Sequence, residues 1–75
     1  MTLEEFTEKF AEQFTDTDPK KITPSTKYRD LEEWSSLMAL YIMAMISDEM
    51  DVIISAQEFR EVNTVEELYN LVLSK

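Results

Sequence analysis

The residues of this chain best suited to do chemistry are two adjacent serines, Ser35 and Ser36. They follow Trp34 directly and precede an apolar run that begins at Leu37. One interpretation is structural: Ser35 caps the helix that the apolar run predicts, and Ser36 is the first residue of that helix. The other is functional, because the free amides and partial positive charge of a helix N-terminus stabilise a phosphate. In that case a serine at this position bears a phosphodiester, and another enzyme supplies the base and the metal that form it.

Catalysis by the chain itself is not expected. A serine hydroxyl needs a base to become a nucleophile, and the chain has no histidine and no cysteine. Asp16 and Asp18 begin like a calcium-binding loop. That pattern next requires an oxygen ligand, a glycine and a glutamate, at places where the chain has Lys20, Lys21 and Lys27. We therefore predict neither a catalytic residue nor a metal site.

The charge of the chain limits its partners. With 16 acidic and 7 basic residues the net charge is −9. This balance argues against nucleic acid and against anionic membrane surfaces, and it favours partner proteins with basic docking surfaces. The apolar run is shorter than the roughly 20 residues that cross a bilayer, and no signal-peptide pattern is visible. We expect a cytoplasmic monomer that forms one domain over residues 1–75.

Helices are predicted to position the two serines. Capping boxes, in which a hydroxyl residue is followed three residues later by a glutamate, occur at Thr2, Ser55 and Thr64. They predict a first helix from Thr2 to about Phe14, a short helix from Ser55 to about Glu61, and a final helix from Thr64. Apolar residues at steps of three and four predict the inward faces of the first and last helices. These are Leu3, Phe6, Phe10 and Phe14, and then Val65, Leu68, Tyr69 and Val72.

Residues 20–34 are predicted to form a long, irregular connection between the first two helices, held to the core by Ile22, Tyr28 and Leu31. Trp34 is expected to pack the end of this connection against the helices. A loop of this length in so small a domain often has a functional reason.

The second helix is predicted to run from Ser35 or Ser36 to about Met50, with apolar residues almost all round it. Such a helix is normally buried, but 75 residues cannot surround it. Part of its surface should therefore meet a ligand or a partner. Its methionines either form an adaptable surface for a changing cargo or fill the core. They are Met38, Met43, Met45 and Met50.

The stretch Trp34-Ser35-Ser36-Leu37 resembles the acyl carrier protein family, the phosphopantetheine-binding carrier domains. In that family Asp-Ser-Leu opens the second helix, often after a tryptophan, so the resemblance places the attachment serine at Ser36. Residues 62–68, Val-Asn-Thr-Val-Glu-Glu-Leu, resemble the family's segment between the third and fourth helices. The resemblance covers essentially the whole chain. It implies an all-α, four-helix bundle with three longer helices, one short helix and a long first loop.

The resemblance also implies a function, that of a non-catalytic carrier. A phosphopantetheinyl transferase would attach 4'-phosphopantetheine to Ser36, and the arm would hold an acyl or aminoacyl group as a thioester. The other partners would be loading ligases or synthases of a fatty-acid-like, polyketide or other specialised pathway. The residues expected to contact a partner or the cargo are Ser35, Leu37, Met38, Leu40, Tyr41, Met45, Asp48 and Glu49.

The chain departs from the family pattern at two places. Ser35 replaces an aspartate that helps the transferase recognise its carrier. On the second helix, Met38, Tyr41 and Ser47 stand where many members have outward polar or acidic residues. We therefore expect an unusually apolar docking surface and a specialised pathway. The alternative is a small helical adaptor that binds a partner through this helix, or a degenerate carrier that lacks the arm.

Overall fold

The computed structural model describes residues 1–75 and contains four α-helices and no β-strand. The helices are α1 (Leu3–Glu12), α2 (Ser36–Met50), α3 (Ala56–Glu61) and α4 (Val65–Leu73). Three of them are longer and α3 is short, and the longest connection lies between α1 and α2. The predicted all-α, four-helix fold with a long first loop is confirmed.

Hydroxyl side chains cap the N-terminus of every α-helix. Thr2, Ser55 and Thr64 each accept a hydrogen bond from the backbone N–H three residues ahead. In return, the glutamate at that position accepts one from the N–H of the cap, so all three predicted capping boxes are confirmed. The Oγ of Ser35 accepts from the N–H of Met38 at 3.3 Å and caps α2. The helices begin where the sequence predicts because each start is encoded within four residues.

The end of α1 differs from its prediction, since the helix stops at Glu12 and not near Phe14. The N–H of Phe14 donates to the carbonyl of Ala11, three residues back, at 3.1 Å. This tighter hydrogen bond ends the α-helical pattern, as it commonly does at helix C-termini. Phe14 remains buried all the same.

The core consists of 15 buried hydrophobic residues drawn from all four helices and from the connections between them. The predicted inward stripes of α1 and α4 are largely confirmed. Leu3 and Tyr69 are only partly buried, and the hydroxyl of Tyr69 donates to the carbonyl of Met1 at 2.6 Å. The stripe residues that are buried are Phe6, Phe10, Phe14, Val65, Leu68 and Val72.

The connection between α1 and α2 contains two single turns of 3₁₀ helix, Pro19–Lys21 and Tyr28–Asp30. Of its three predicted anchors, Ile22 and Tyr28 are buried, and Leu31 packs against the core while partly exposed. The connection is therefore irregular in backbone but fixed in position.

Helix α2 ends at Met50, as predicted. Its C-cap, Asp51, has φ 55° and ψ 40° and is the only residue of the chain with positive φ. Glycine usually occupies such a left-handed position, but this chain contains none. None of the helices combines the length and the apolar composition needed to cross a bilayer.

Candidate functional site

Trp34 packs the end of the connection against the core immediately before the two serines, as predicted. Its ring centroid lies 4.9 Å from that of Tyr28 and 5.8 Å from that of Phe59. The Phe59 ring is nearly parallel to it, at 12°. Aromatic pairs of this kind contribute about 0.5–1.5 kcal/mol beyond the area they bury. The N-terminus of α2 therefore follows a fixed residue.

Glu33 connects the same segment to the turn that follows α1. Its carboxylate accepts hydrogen bonds from the N–H groups of Thr15 (2.8 Å) and Asp16 (3.0 Å). It also accepts from the hydroxyls of Thr15 (3.1 Å) and Thr17 (2.8 Å). Burial alone would raise the pKa of Glu33, but these hydrogen bonds together lower it from its ordinary value of 4.5. No sequence pattern predicted this contact, because its partners are 16 to 18 residues away.

Tyr28 and Arg29 connect the first loop to the C-terminal end of α3. The Tyr28 hydroxyl donates to the carbonyl of Val62 at 3.1 Å. The Arg29 guanidinium donates to the carbonyls of Phe59 (2.9 Å) and Val62 (2.6 Å) and to Oδ1 of Asn63 (2.7 Å). Burial raises the pKa of Tyr28 from its ordinary value of 10 to about 12, so its hydroxyl remains a donor well above neutral pH. These contacts fix α3 relative to the segment that ends in the two serines.

The two serines differ in the use of their hydroxyl groups. Ser35 acts as the helix cap, so the structural interpretation holds for that residue. Ser36 is exposed, and its hydroxyl makes no hydrogen bond within the chain. It stands at the first position of α2, where backbone N–H groups have no helical acceptor. A hydroxyl at this position is available for a phosphodiester, which the helix N-terminus would stabilise.

A cleft of about 620 Å³, the largest on the molecule, lies beside Ser36 between α2 and α3. Besides Ser35 and Ser36, its polar lining consists of Arg29 and Arg60. Its apolar walls are formed by Trp34, Ala39, Leu40, Met43, Ala56 and Phe59. Apolar walls with a free hydroxyl at the edge fit a flexible, partly apolar group.

Three of the predicted contact residues form an exposed patch on α2. Leu37, Leu40 and Tyr41 leave 54%, 60% and 47% of their surfaces exposed. Their spacing of three and four residues puts them on one side of the helix, here called the apolar face of α2. The predicted contacts Asp48 and Glu49 are also exposed, at the other end of α2. Part of this apolar helix is thus exposed to solvent, and its contact with a ligand or a partner stays a prediction.

Two other predicted contact residues, Met38 and Met45, lie in the core with 6% of their surfaces exposed. The prediction that Met38 faces outward is therefore wrong. Positions 38 and 45 are two helical turns apart and share the side of α2 that contains Ile42 and Ile46, which pack into the core. Neither methionine belongs to the exposed patch on α2, and contact of either with the cargo stays a prediction. Both fill the core, whereas Met43 is partly buried and lines the cleft.

The two arginines of the cleft were not predicted as site residues from the sequence. Arg29 and Arg60 are the only arginines of the chain, and they come from different elements, the first loop and α3. They line the same cleft only after the chain has folded. The one signal in the sequence that could have drawn attention to them is that arginine occurs only twice in this acidic chain.

Comparison with protein families identifies the class to which this site belongs. The model of the family described as phosphopantetheine attachment site matches residues 4–72, almost the whole chain. The chain belongs to this phosphopantetheine-binding family, whose domains attach 4'-phosphopantetheine covalently. The resemblance to carrier domains is thus confirmed. No curated protein and no solved structure gives a significant match.

Proposed function

We propose that this chain is a discrete carrier that holds an acyl or aminoacyl group on a phosphopantetheine arm attached to Ser36. Family membership supports the arm. We choose Ser36 as the attachment residue because its hydroxyl is exposed, makes no hydrogen bond and lies at the first position of α2. The neighbouring Ser35 uses its oxygen as the helix cap.

In this proposal the chain is a substrate of a phosphopantetheinyl transferase and does no catalysis. The oxygen of Ser36 bonds to phosphorus, the pyrophosphate link of coenzyme A breaks, and the nucleoside bisphosphate leaves. The hydroxyl proton passes to a base on the transferase, because the chain has no histidine to accept it. When bound, the arm supplies a thiol that takes the acyl or aminoacyl group as a thioester. The chain contributes tethering, which raises the effective concentration of the cargo at each partner enzyme.

We further propose that partner enzymes contact the apolar face of α2, together with Ser35 at its N-terminal end. Exposed apolar side chains on one side of a helix can supply the buried centre of an interface. Asp48, Glu49 and the net charge of −9 would steer the carrier to basic docking surfaces. The partners are the transferase and a loading ligase or synthase of a fatty-acid-like, polyketide or other specialised pathway. We place these reactions in the cytoplasm, where coenzyme A is available.

Intact mass measurement with peptide mapping tests the attachment site. Purified protein is incubated with coenzyme A, Mg²⁺ and a broad-specificity phosphopantetheinyl transferase. We expect one addition, on Ser36, and Ser36→Ala should abolish it without changing thermal unfolding. The matched control is Ser35→Ala, which loses a cap worth about 1 kcal/mol but keeps the acceptor hydroxyl and should still be modified. Addition on Ser35 would overturn the choice of residue.

The exposed apolar face of α2 also favours a second candidate, a helical adaptor or a degenerate carrier without the arm. Both predict no addition by two different transferases on a well-folded protein. In an adaptor, Ser36→Ala has no effect on partner binding, whereas Tyr41→Asp abolishes it. In a degenerate carrier, Ser35→Asp restores the acid that the family has before its serine and should permit modification.

A further inference from the structure

The cleft beside Ser36 differs in charge from the rest of this acidic protein. No aspartate or glutamate lines it, although the chain has 16 of them, while both arginines of the chain do. Each of the three smaller depressions on the surface is lined by at least two carboxylates. The cleft is therefore a cationic region on a protein of net charge −9.

The two arginines of the cleft are not equivalent. Arg29 is occupied, because its guanidinium donates to two backbone carbonyls and to the side chain of Asn63. Arg60 is exposed and makes neither an ion pair nor a side-chain hydrogen bond. It follows Phe59 on α3, whose stacking on Trp34 fixes that turn beside the cleft. Arg60 is thus a free cation at the edge of a largely apolar cleft.

We propose that Arg60 binds an anionic group of the ligand tethered at Ser36 and so retains that ligand in the cleft. A guanidinium matches the paired oxygens of phosphate and carboxylate groups, and apolar walls strengthen such a pair by lowering the local dielectric constant. Two anions have this chemistry: the phosphodiester of the arm, and a carboxylate at the free end of a dicarboxylic acyl group. The inference rests on the proposed attachment at Ser36.

Trp34 provides a direct readout, because it is the only tryptophan of the chain and lines the cleft. Acrylamide quenching of its fluorescence is measured in the apo protein and in three arm-bearing forms, each verified by intact mass. These forms bear the unloaded arm, a neutral acyl thioester, or the thioester of a dicarboxylic acid with its second carboxylate free. The variants are Arg60→Gln, Arg60→Lys to keep the charge, and Lys20→Gln as an exposed cation away from the cleft.

We expect acrylamide to quench Trp34 less in an arm-bearing form than in the apo protein, and we expect Arg60→Gln to reverse this protection. The ratio of docked to undocked arm should fall by about two- to fivefold, as for loss of a partly exposed ion pair. Arg60→Lys should retain part of the protection, and Lys20→Gln all of it. Rising salt should weaken the protection in the wild type but have less effect on Arg60→Gln.

The three arm-bearing forms distinguish the two sources of the anion. Dependence on Arg60 that is already present with the unloaded arm identifies the phosphodiester, and dependence only with the dicarboxylic cargo identifies the carboxylate. Equal protection in the wild type and Arg60→Gln, or no protection in any form, would overturn the inference while leaving the carrier proposal intact. Absence of any mass addition would instead overturn the attachment at Ser36, and the role of Arg60 with it.

Discussion

The connection that leads to Ser36 and the helix that follows it are stabilised in opposite ways. The connection lacks regular structure but is rich in specific polar contacts, namely the four hydrogen bonds to Glu33 and those of Tyr28 and Arg29. Helix α2 is regular, yet beyond its N-cap its only polar side-chain contact is an ion pair at 3.8 Å between Glu49 and Lys9. Regular secondary structure is thus a poor guide to which region is held more firmly by its side chains.

This difference suits a carrier, whose attachment point and docking surface have different requirements. The residues before Ser36 are fixed by aromatic packing and by hydrogen bonds, so the position of the proposed attachment serine is defined. Helix α2 buries one side in the core and leaves its apolar face to solvent. Substitutions on that face should change partner contacts with little effect on stability, while substitutions in the connection should do the reverse.

The strongest test of this comparison is a pair of identical substitutions, Tyr28→Ala in the connection and Tyr41→Ala on α2. Tyr28 is fully buried, whereas Tyr41 is 47% exposed. We expect Tyr28→Ala to lower the free energy of unfolding by about 3–5 kcal/mol, as for other large aromatic residues in cores. Tyr41→Ala should change it by only about 0.5 kcal/mol. Urea denaturation followed by circular dichroism measures both.

Tyr28→Phe provides a milder variant for the case that Tyr28→Ala yields too little folded protein to measure. It keeps the ring packing and removes the hydroxyl that donates to Val62, at a cost of about 1 kcal/mol. Equal losses for the two tyrosine-to-alanine variants would show that the connection is no more firmly held than α2.

Much of the fold could be predicted because its signals are local. Each capping box lies within four residues, so Thr2, Ser55 and Thr64 located three helix starts. The phenylalanines of α1 repeat at helical spacing, so their inward side could be predicted as well. The choice of Ser36 as attachment site rested on the resemblance of residues 34–37 to the carrier family, and it stays a prediction.

The features that could not be predicted depend on tertiary structure. Glu33 bonds to residues at least 16 positions away, and Arg29 and Arg60 meet only when the first loop packs against α3. Helix α2 posed a different problem, since apolar residues all round it give no sign of which side turns inward. Met38 was placed outward from the family pattern, and the helix itself offered no apolar stripe to correct that placement.

A smaller effect is expected from Glu33→Gln, which tests whether a charged carboxylate holds the connection. The pKa of Glu33 is lower in the folded than in the unfolded chain, where it is near 4.5. Its contribution is therefore fully present above the unfolded pKa and is lost as pH falls through the folded pKa. Glu33→Gln should lower the Tm at pH 7, and the difference from wild type should shrink as pH falls below about 4.5.

The matched control is Glu32→Gln, an exposed neighbour whose side chain makes no hydrogen bond in the structure. Its Tm should differ little from that of the wild type across the same pH range. If the difference in Tm between wild type and Glu33→Gln did not change with pH, the charge of Glu33 would not be its cause. The difference would then come from the replacement of a carboxylate oxygen by an amide group.

The smallest effect is expected at the C-terminal end of α2, where Asp51 adopts a left-handed conformation. That conformation is unfavourable for a residue with a Cβ, and a negative charge at a helix C-terminus opposes the helix dipole. Asp51→Gly should therefore raise the free energy of unfolding by about 0.5–1 kcal/mol, the gain being limited by the greater freedom of glycine in the unfolded chain. Asp51→Asn removes the charge but keeps a side chain that tolerates this conformation, and so separates the two causes.

Because Asp51 lies at the opposite end of α2 from Ser36, the Asp51→Gly variant should be modified by the transferase at an unchanged rate. A gain in stability with unchanged modification would show that α2 can be stabilised without altering the proposed docking surface. A stabilised variant with slower modification would mean that the C-terminal end of α2, and not only its apolar face, contributes to recognition by the transferase.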